Sequence, residues 1–130
     1  MTGQIPPHRP RPMVICERAE ADPNGKDPHT PGAKLDAGKT RLSLVFNGFA
    51  NALEEVGRVG TMGAQKYTDN GWVSVPNGAE RYTDAMYRHL LAEATGEEFD
   101  EGSELLHAAH VAWNALARLE LVIRAHGATQ

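Results

Sequence analysis

Residues 81–114 hold two helical hydrophobic patterns separated by a short linker, and that arrangement constrains the fold more than any other stretch. Before the linker, Tyr82, Ala85, Met86, His89, Leu90 and Glu93 recur at three- and four-residue spacing, which predicts a helix over residues 79–94. After it, Leu105, Leu106, Ala109, Ala112, Trp113, Leu116, Leu119 and Ile123 predict a helix over residues 103–125. This second pattern is apolar around most of its circumference, wider than one core-facing stripe. It implies burial on two sides, and hence a homo-oligomer, dimer or tetramer. Upstream, Val45, Phe46, Phe49, Leu53, Val56 and Val59 predict a first helix over residues 43–62, ending at Gly60 or Gly63. With no repeat and no coiled-coil heptads, the expected fold class is all-α, three main helices per chain in an oligomeric bundle.

The linker and the turn after it carry Glu97, Glu98, Asp100, Glu101 and Glu104 with no balancing base. Two explanations compete. Carboxylates favour the positive end of a helix dipole, and Ser103 could cap the helix after it. Alternatively, hard divalent cations need several carboxylate oxygens gathered together. His89 bears on the choice, because it falls on the core-facing stripe, where an imidazole must find a partner or a metal. A separate polar line of Glu104, His107, His110 or Val111, and Asn114 runs along the apolar third helix, as an interface ladder or part of a pocket.

Seven of the eight prolines lie in residues 1–31, which therefore read as an extended arm, with only residues 13–16 able to add a strand-like contact. Residues 32–130 are the expected folded domain. A formal charge of −4 argues against a surface for nucleic-acid polymers. The lone Cys16 excludes an intrachain disulfide and suits a reducing cytosol. No run of about 18 apolar residues suggests a membrane span.

The segment GAKLDAGKT at residues 32–40 is not a P-loop. The position where that motif requires its first glycine is occupied by Ala33, and Gly32 is one place too early. What remains is a cluster of Lys34, Asp36, Lys39 and Arg41, either a polyphosphate clamp or a solvated basic loop. In the connection over residues 63–78, Asp69, Asn70 and Gly71 supply turn chemistry. Trp72 beside it either packs the loop onto the core or stacks on a nucleobase.

Several separated blocks occur in the order GAKLDAGKTRLSL, GAQKY with Asn70 and Trp72, RHLLAEATGEEFD, Ser103, and HAAHVAWN from His107. Together they resemble the phage-encoded dATP/dGTP diphosphohydrolases, a branch of the MazG-like all-α nucleotide pyrophosphohydrolases. The resemblance covers residues 32 to about 122. It implies Mg²⁺- or Mn²⁺-dependent cleavage of a purine deoxynucleoside triphosphate to monophosphate and pyrophosphate, in the cytoplasm of an infected bacterium. In phages that replace adenine by 2-aminoadenine, such an enzyme removes dATP and supplies dGMP. Glu97 and Asp100 have the ExxD spacing of the wider superfamily, whereas neither Glu54 nor Glu55 opens an ExxE.

Joined to metal-ion chemistry, the resemblance implies cation ligands among Glu55, Asp84, His89, Glu97, Asp100 and His107. Glu97 or Asp100 then serves as general base. Lys34, Lys39, Lys66 and Arg88 would hold phosphates, Trp72 would stack on the base, and Asp36 or Asn70 would read its edge. Two other readings stand beside this one. A non-enzymatic helical assembly protein would use the acidic linker and histidine line as an interface. A phosphohydrolase with a metal site of His89, His107 and His110 would act on another phosphoester, since imidazole suits transition metals better than Mg²⁺.

Overall fold

The computed structural model describes residues 20–127; the expected strand-like contact at residues 13–16 lies outside them. The chain divides into two compact units, Met1–Leu44 and Val45–Gln130.

The described part of the first unit is a series of turns around Asp22, which is only 8% exposed. Its carboxylate accepts the amides of Asn24 at 2.7 Å, Lys26 at 3.3 Å and Lys34 at 2.9 Å. These bonds, the Lys34 amide foremost, hold the carboxyl below its usual range. The Asp22–Lys34 bond crosses the boundary expected at residue 31, so the end of the proline-rich arm is tied to the segment beyond it.

The helices are α1 (Ser43–Phe46), α2 (Ala50–Lys66), α3 (Gly78–Ala94) and α4 (His107–Gly127), with a 3-10 turn at Gly71–Ser74. Apart from one isolated antiparallel bridge, Phe99 to Leu106, no β-structure occurs among the described residues. The expected all-α class holds. Within the second unit α3 and α4 are the principal pair, and α2 packs on α4.

Two expected helix boundaries are corrected. The helix expected over residues 43–62 is interrupted at residues 47–49, where Asn47-Gly48 supplies turn chemistry, and α2 then runs through Gly60 and Gly63 to Lys66. Tertiary packing carries it through: Val59 is buried, and a Cβ at Gly60 would lie 3.4 Å from the Trp113 indole nitrogen. The helix expected from Ser103 begins instead at His107. Glu104 adopts a left-handed φ of 61°, its amide bonds to the Asp100 carbonyl, and the Asp100 amide bonds to the Leu105 carbonyl. Those bonds close a tight loop, so Ser103 lies outside the helix it is expected to cap.

Gly96 ends α3. At φ 94° it permits a Schellman closure, in which its own amide bonds the Glu93 carbonyl and the Glu97 amide bonds that of Ala92. The chain is thereby turned back, and the linker returns alongside α4.

Three aromatic rings join the 3-10 turn to α3 and α4. Trp72, Tyr82 and Trp113 meet edge to face at centroid distances of 5.5 to 6.4 Å. The Tyr82 hydroxyl donates to the Trp72 carbonyl at 2.7 Å, and burial pushes its pKa up. The hydrophobic core is small: Val59, Ala109 and Ala117 are the buried apolar residues among those described. By contrast Leu116, Leu119 and Ile123 on α4, and Leu91 on α3, are at least half exposed.

Candidate metal centre

His89 on α3, Asp100 in the linker and His107 at the start of α4 converge, each offering a ligand atom within 4.8 Å of the others. The helical period sets two of them. His89 lies on the α3 stripe facing α4, and His107 is the first helical residue after the tight loop. The third comes from the loop itself: the Phe99–Leu106 bridge and the bond from the His107 amide to the Glu98 carbonyl return Asp100 to the head of α4.

The two Nδ1 atoms of His89 and His107 stand 2.8 Å apart. That spacing serves either an N–H···N bond or two lone pairs directed at one cation. His107 is 3% exposed, and its Nε2, 3.4 Å from Glu97 Oε1, makes no hydrogen bond among the described residues. A buried ring nitrogen without a partner costs about 1–3 kcal/mol.

Burial foremost, then the neighbouring imidazoles, lowers the pKa of His89, with Asp100 opposing. His110 is lowered for the same first reason, with Asp100 opposing and His107 reinforcing. For Asp100, burial pushes the pKa up, but hydrogen bonds from Ser103 and the nearby His110 and His89 outweigh it and the net shift is downward. At neutral pH the site therefore offers a neutral His89 and an ionised Asp100, the protonation states that ligate metals. The donor set fits a divalent cation, and two imidazoles suit a transition metal better than Mg²⁺.

Of the other expected ligands, Glu97 stands behind His107, on the ring nitrogen remote from His89. Glu55 is engaged by Arg58 at 3.3 Å, and Asp84 is on α3 away from the cluster; neither belongs to it. Arg88 is exposed beside His89. Lys66, at the end of α2, lies over the Tyr67 ring at 5.3 Å. Lys34, Asp36 and Lys39 belong to the first unit, where Lys39 pairs with Glu20 at 3.6 Å. Asn70 is a left-handed turn residue at φ 56°. Trp72 takes the packing alternative, with the Arg124 guanidinium 5.8 Å over its ring.

Two participants are not among the ligands that the resemblance implies. His110 stacks on His89 with centroids 4.4 Å apart and planes 9° from parallel, and Ser103 Oγ lies 2.7 Å from His110 Nε2. The i, i+3 spacing of His107 and His110 is the sequence signal that points to the first; the second enters the sequence only as a cap candidate and as one block of the resemblance. A cleft of about 550 Å³ adjoins Ser103, lined also by Glu54, Arg58, Thr61, Gln65 and Leu105.

A family profile described as dATP/dGTP diphosphohydrolase, N-terminal, matches residues 29–130. A curated protein of Salmonella phage PMBT28, named dATP/dGTP diphosphohydrolase, is 41% identical over 81 residues. That alignment covers 62% of this chain and 26% of the relative, so the chain spans about a quarter of the relative's length. No solved structure matches the chain.

Proposed function

Since this chain belongs to the dATP/dGTP diphosphohydrolase, N-terminal, family, we propose that it supplies the cation centre for hydrolysis of dATP and dGTP to the monophosphate and pyrophosphate. The observation that carries the proposal is the convergence of His89, Asp100 and the buried His107. A bound Mn²⁺ would neutralise phosphate charge and lower the pKa of an attacking water.

The chain's own groups have separable tasks. His89, His107 and Asp100 hold the cation. Glu97 lies 3.4 Å from the opposite ring nitrogen of His107, Nε2, which leaves Nδ1 as the nitrogen facing the trio. The cleft beside Ser103 is within the size range of small-ligand sites, and Arg58 can exchange its carboxylate partners for a phosphate. Relation to the MazG-like superfamily is supported by the all-α helix pairing and the Glu97–Asp100 spacing; the two imidazole donors distinguish this centre from an all-carboxylate one. In a phage whose DNA carries 2-aminoadenine, the activity would remove dATP and yield dGMP.

Incubating the full chain with dGTP or dATP and Mn²⁺ should give monophosphate and pyrophosphate on anion-exchange chromatography. Orthophosphate with a diphosphate, or inorganic triphosphate with a nucleoside, would refute this cleavage position. The mutual contact of three histidines favours one second reading, a transition-metal phosphohydrolase acting on another phosphoester. A panel of nucleoside mono-, di- and triphosphates separates the two.

The proposal includes self-association. Leu116, Leu119 and Ile123, at i, i+3 and i+7 along α4, are 50%, 53% and 51% exposed, and apolar side chains gathered on one exposed face suit an interface. Light scattering should give a dimer or tetramer, and Leu119→Lys should shift it to monomer. A monomeric wild-type chain at micromolar concentration would remove this part of the proposal. The proposed place of action is the host cytoplasm, where nucleotides are pooled; no described helix is long and apolar enough to cross a membrane.

A further inference from the structure

Resting on the cation site proposed above, we infer that Ser103 and His110 are its positioning residues, one loop serine fixing a carboxylate ligand directly and an imidazole ligand through a stacked ring. Ser103 lies between the two. Its amide donates to Asp100 Oδ2 at 2.9 Å, which selects the Asp100 rotamer and occupies one of its oxygens. Its hydroxyl oxygen accepts the Leu105 amide at 3.2 Å and is hydrogen-bonded to His110 Nε2 at 2.7 Å, the donor being set by the His110 tautomer.

His110 stands outside the trio, and its Nε2, 3.9 Å from Asp100 Oδ2, is engaged by Ser103. His110 is 6% exposed and lies one turn after His107 on α4, so its ring has little room to turn. Stacked at 4.4 Å and 9°, it presents a flat wall to His89. Rotation of the His89 ring would drive an edge into that wall, so the orientation that aims Nδ1 at His107 is kept. Three histidines thus divide into two ligands and one support, and the division reflects which nitrogens are already engaged. Asn114, one turn further along α4 and 5% exposed, donates its side-chain amide to the His110 carbonyl at 2.8 Å, which steadies the same turn.

Outer partners of this kind typically change metal affinity by roughly 10- to 100-fold. Titrating the full chain with Mn²⁺, followed by electron paramagnetic resonance of the free ion, should show that loss for Ser103→Ala and for His110→Ala. Ser103→Thr, which keeps the hydroxyl, should restore affinity toward wild type. The visible absorption of the Co²⁺-loaded chain should change in the alanine variants, a signature that loss of fold stability alone does not produce. Ser103 is a partly exposed loop residue, so Ser103→Ala remains informative should His110→Ala fail to fold. Wild-type affinity and spectrum in Ser103→Ala would overturn the positioning role and leave the cation site standing. A wild-type chain that binds neither Mn²⁺ nor Co²⁺ would overturn both.

Discussion

Replacing His107 by alanine is expected to abolish Mn²⁺ binding and nucleotide turnover while leaving the helical fold in place. The affinity loss should exceed the roughly 10- to 100-fold characteristic of outer partners, because a ligand itself is removed. Stability of the cation-free chain should move far less. Losing the buried imidazole creates a void and strands His89 Nδ1, which now faces His107 at 2.8 Å. It also eliminates the partnerless Nε2, worth about 1–3 kcal/mol in the opposite direction. Calorimetric titration with Mn²⁺, paired with denaturant unfolding, measures both quantities. Wild-type affinity in His107→Ala would show that the trio is not the cation site.

The second large effect is expected from acid. His89 and His110 have folded-state pKa values below the ordinary 6.5, chiefly because burial disfavours the imidazolium. Above pH 6.5 both rings are neutral in folded and unfolded chains alike, so their contribution to stability is intact. As pH falls below 6.5 the unfolded chain takes up protons that the folded one refuses, and stability declines until the folded-state values are reached. Each ring contributes at most about 1.4 kcal/mol per pH unit over that interval. Mn²⁺ binding should weaken across the same range, since protons compete for the imidazole lone pairs. Unfolding measured from about pH 7.5 to about pH 5 tests this, and a stability independent of pH below the ordinary histidine value would contradict it.

The parts of the site on regular helix are readable from sequence, and the parts set by loop closure are not. The periodicity places α3 to within a residue because its stripe has a clean 3.6-residue period, and the same period puts His89 on the core side. Glu55 and Asp84 lie outside the trio, since a place on a helix face does not say which third element that face meets. Arg58 takes Glu55, and Asp84 stays apart from the trio. Ser103 has the residue type of a cap without the position of one. No pattern announces a non-glycine residue at positive φ, and the left-handed Glu104 is what closes the loop and delays α4 to His107. Trp72 has the character of a base-stacking ring, yet it is shared between Tyr82 and Trp113, partners that only the tertiary fold supplies.

The turn at Gly96 makes metal and fold depend on each other. Because α3 stops there and the chain is folded back, His89 and His107 sit on the two arms of one hairpin, 18 positions apart in sequence. An ion held between them is a removable crosslink across that loop, and its binding energy enters the free energy of folding directly. If the proposed site is filled, the supply of that cation would govern how long this hairpin persists against proteolysis.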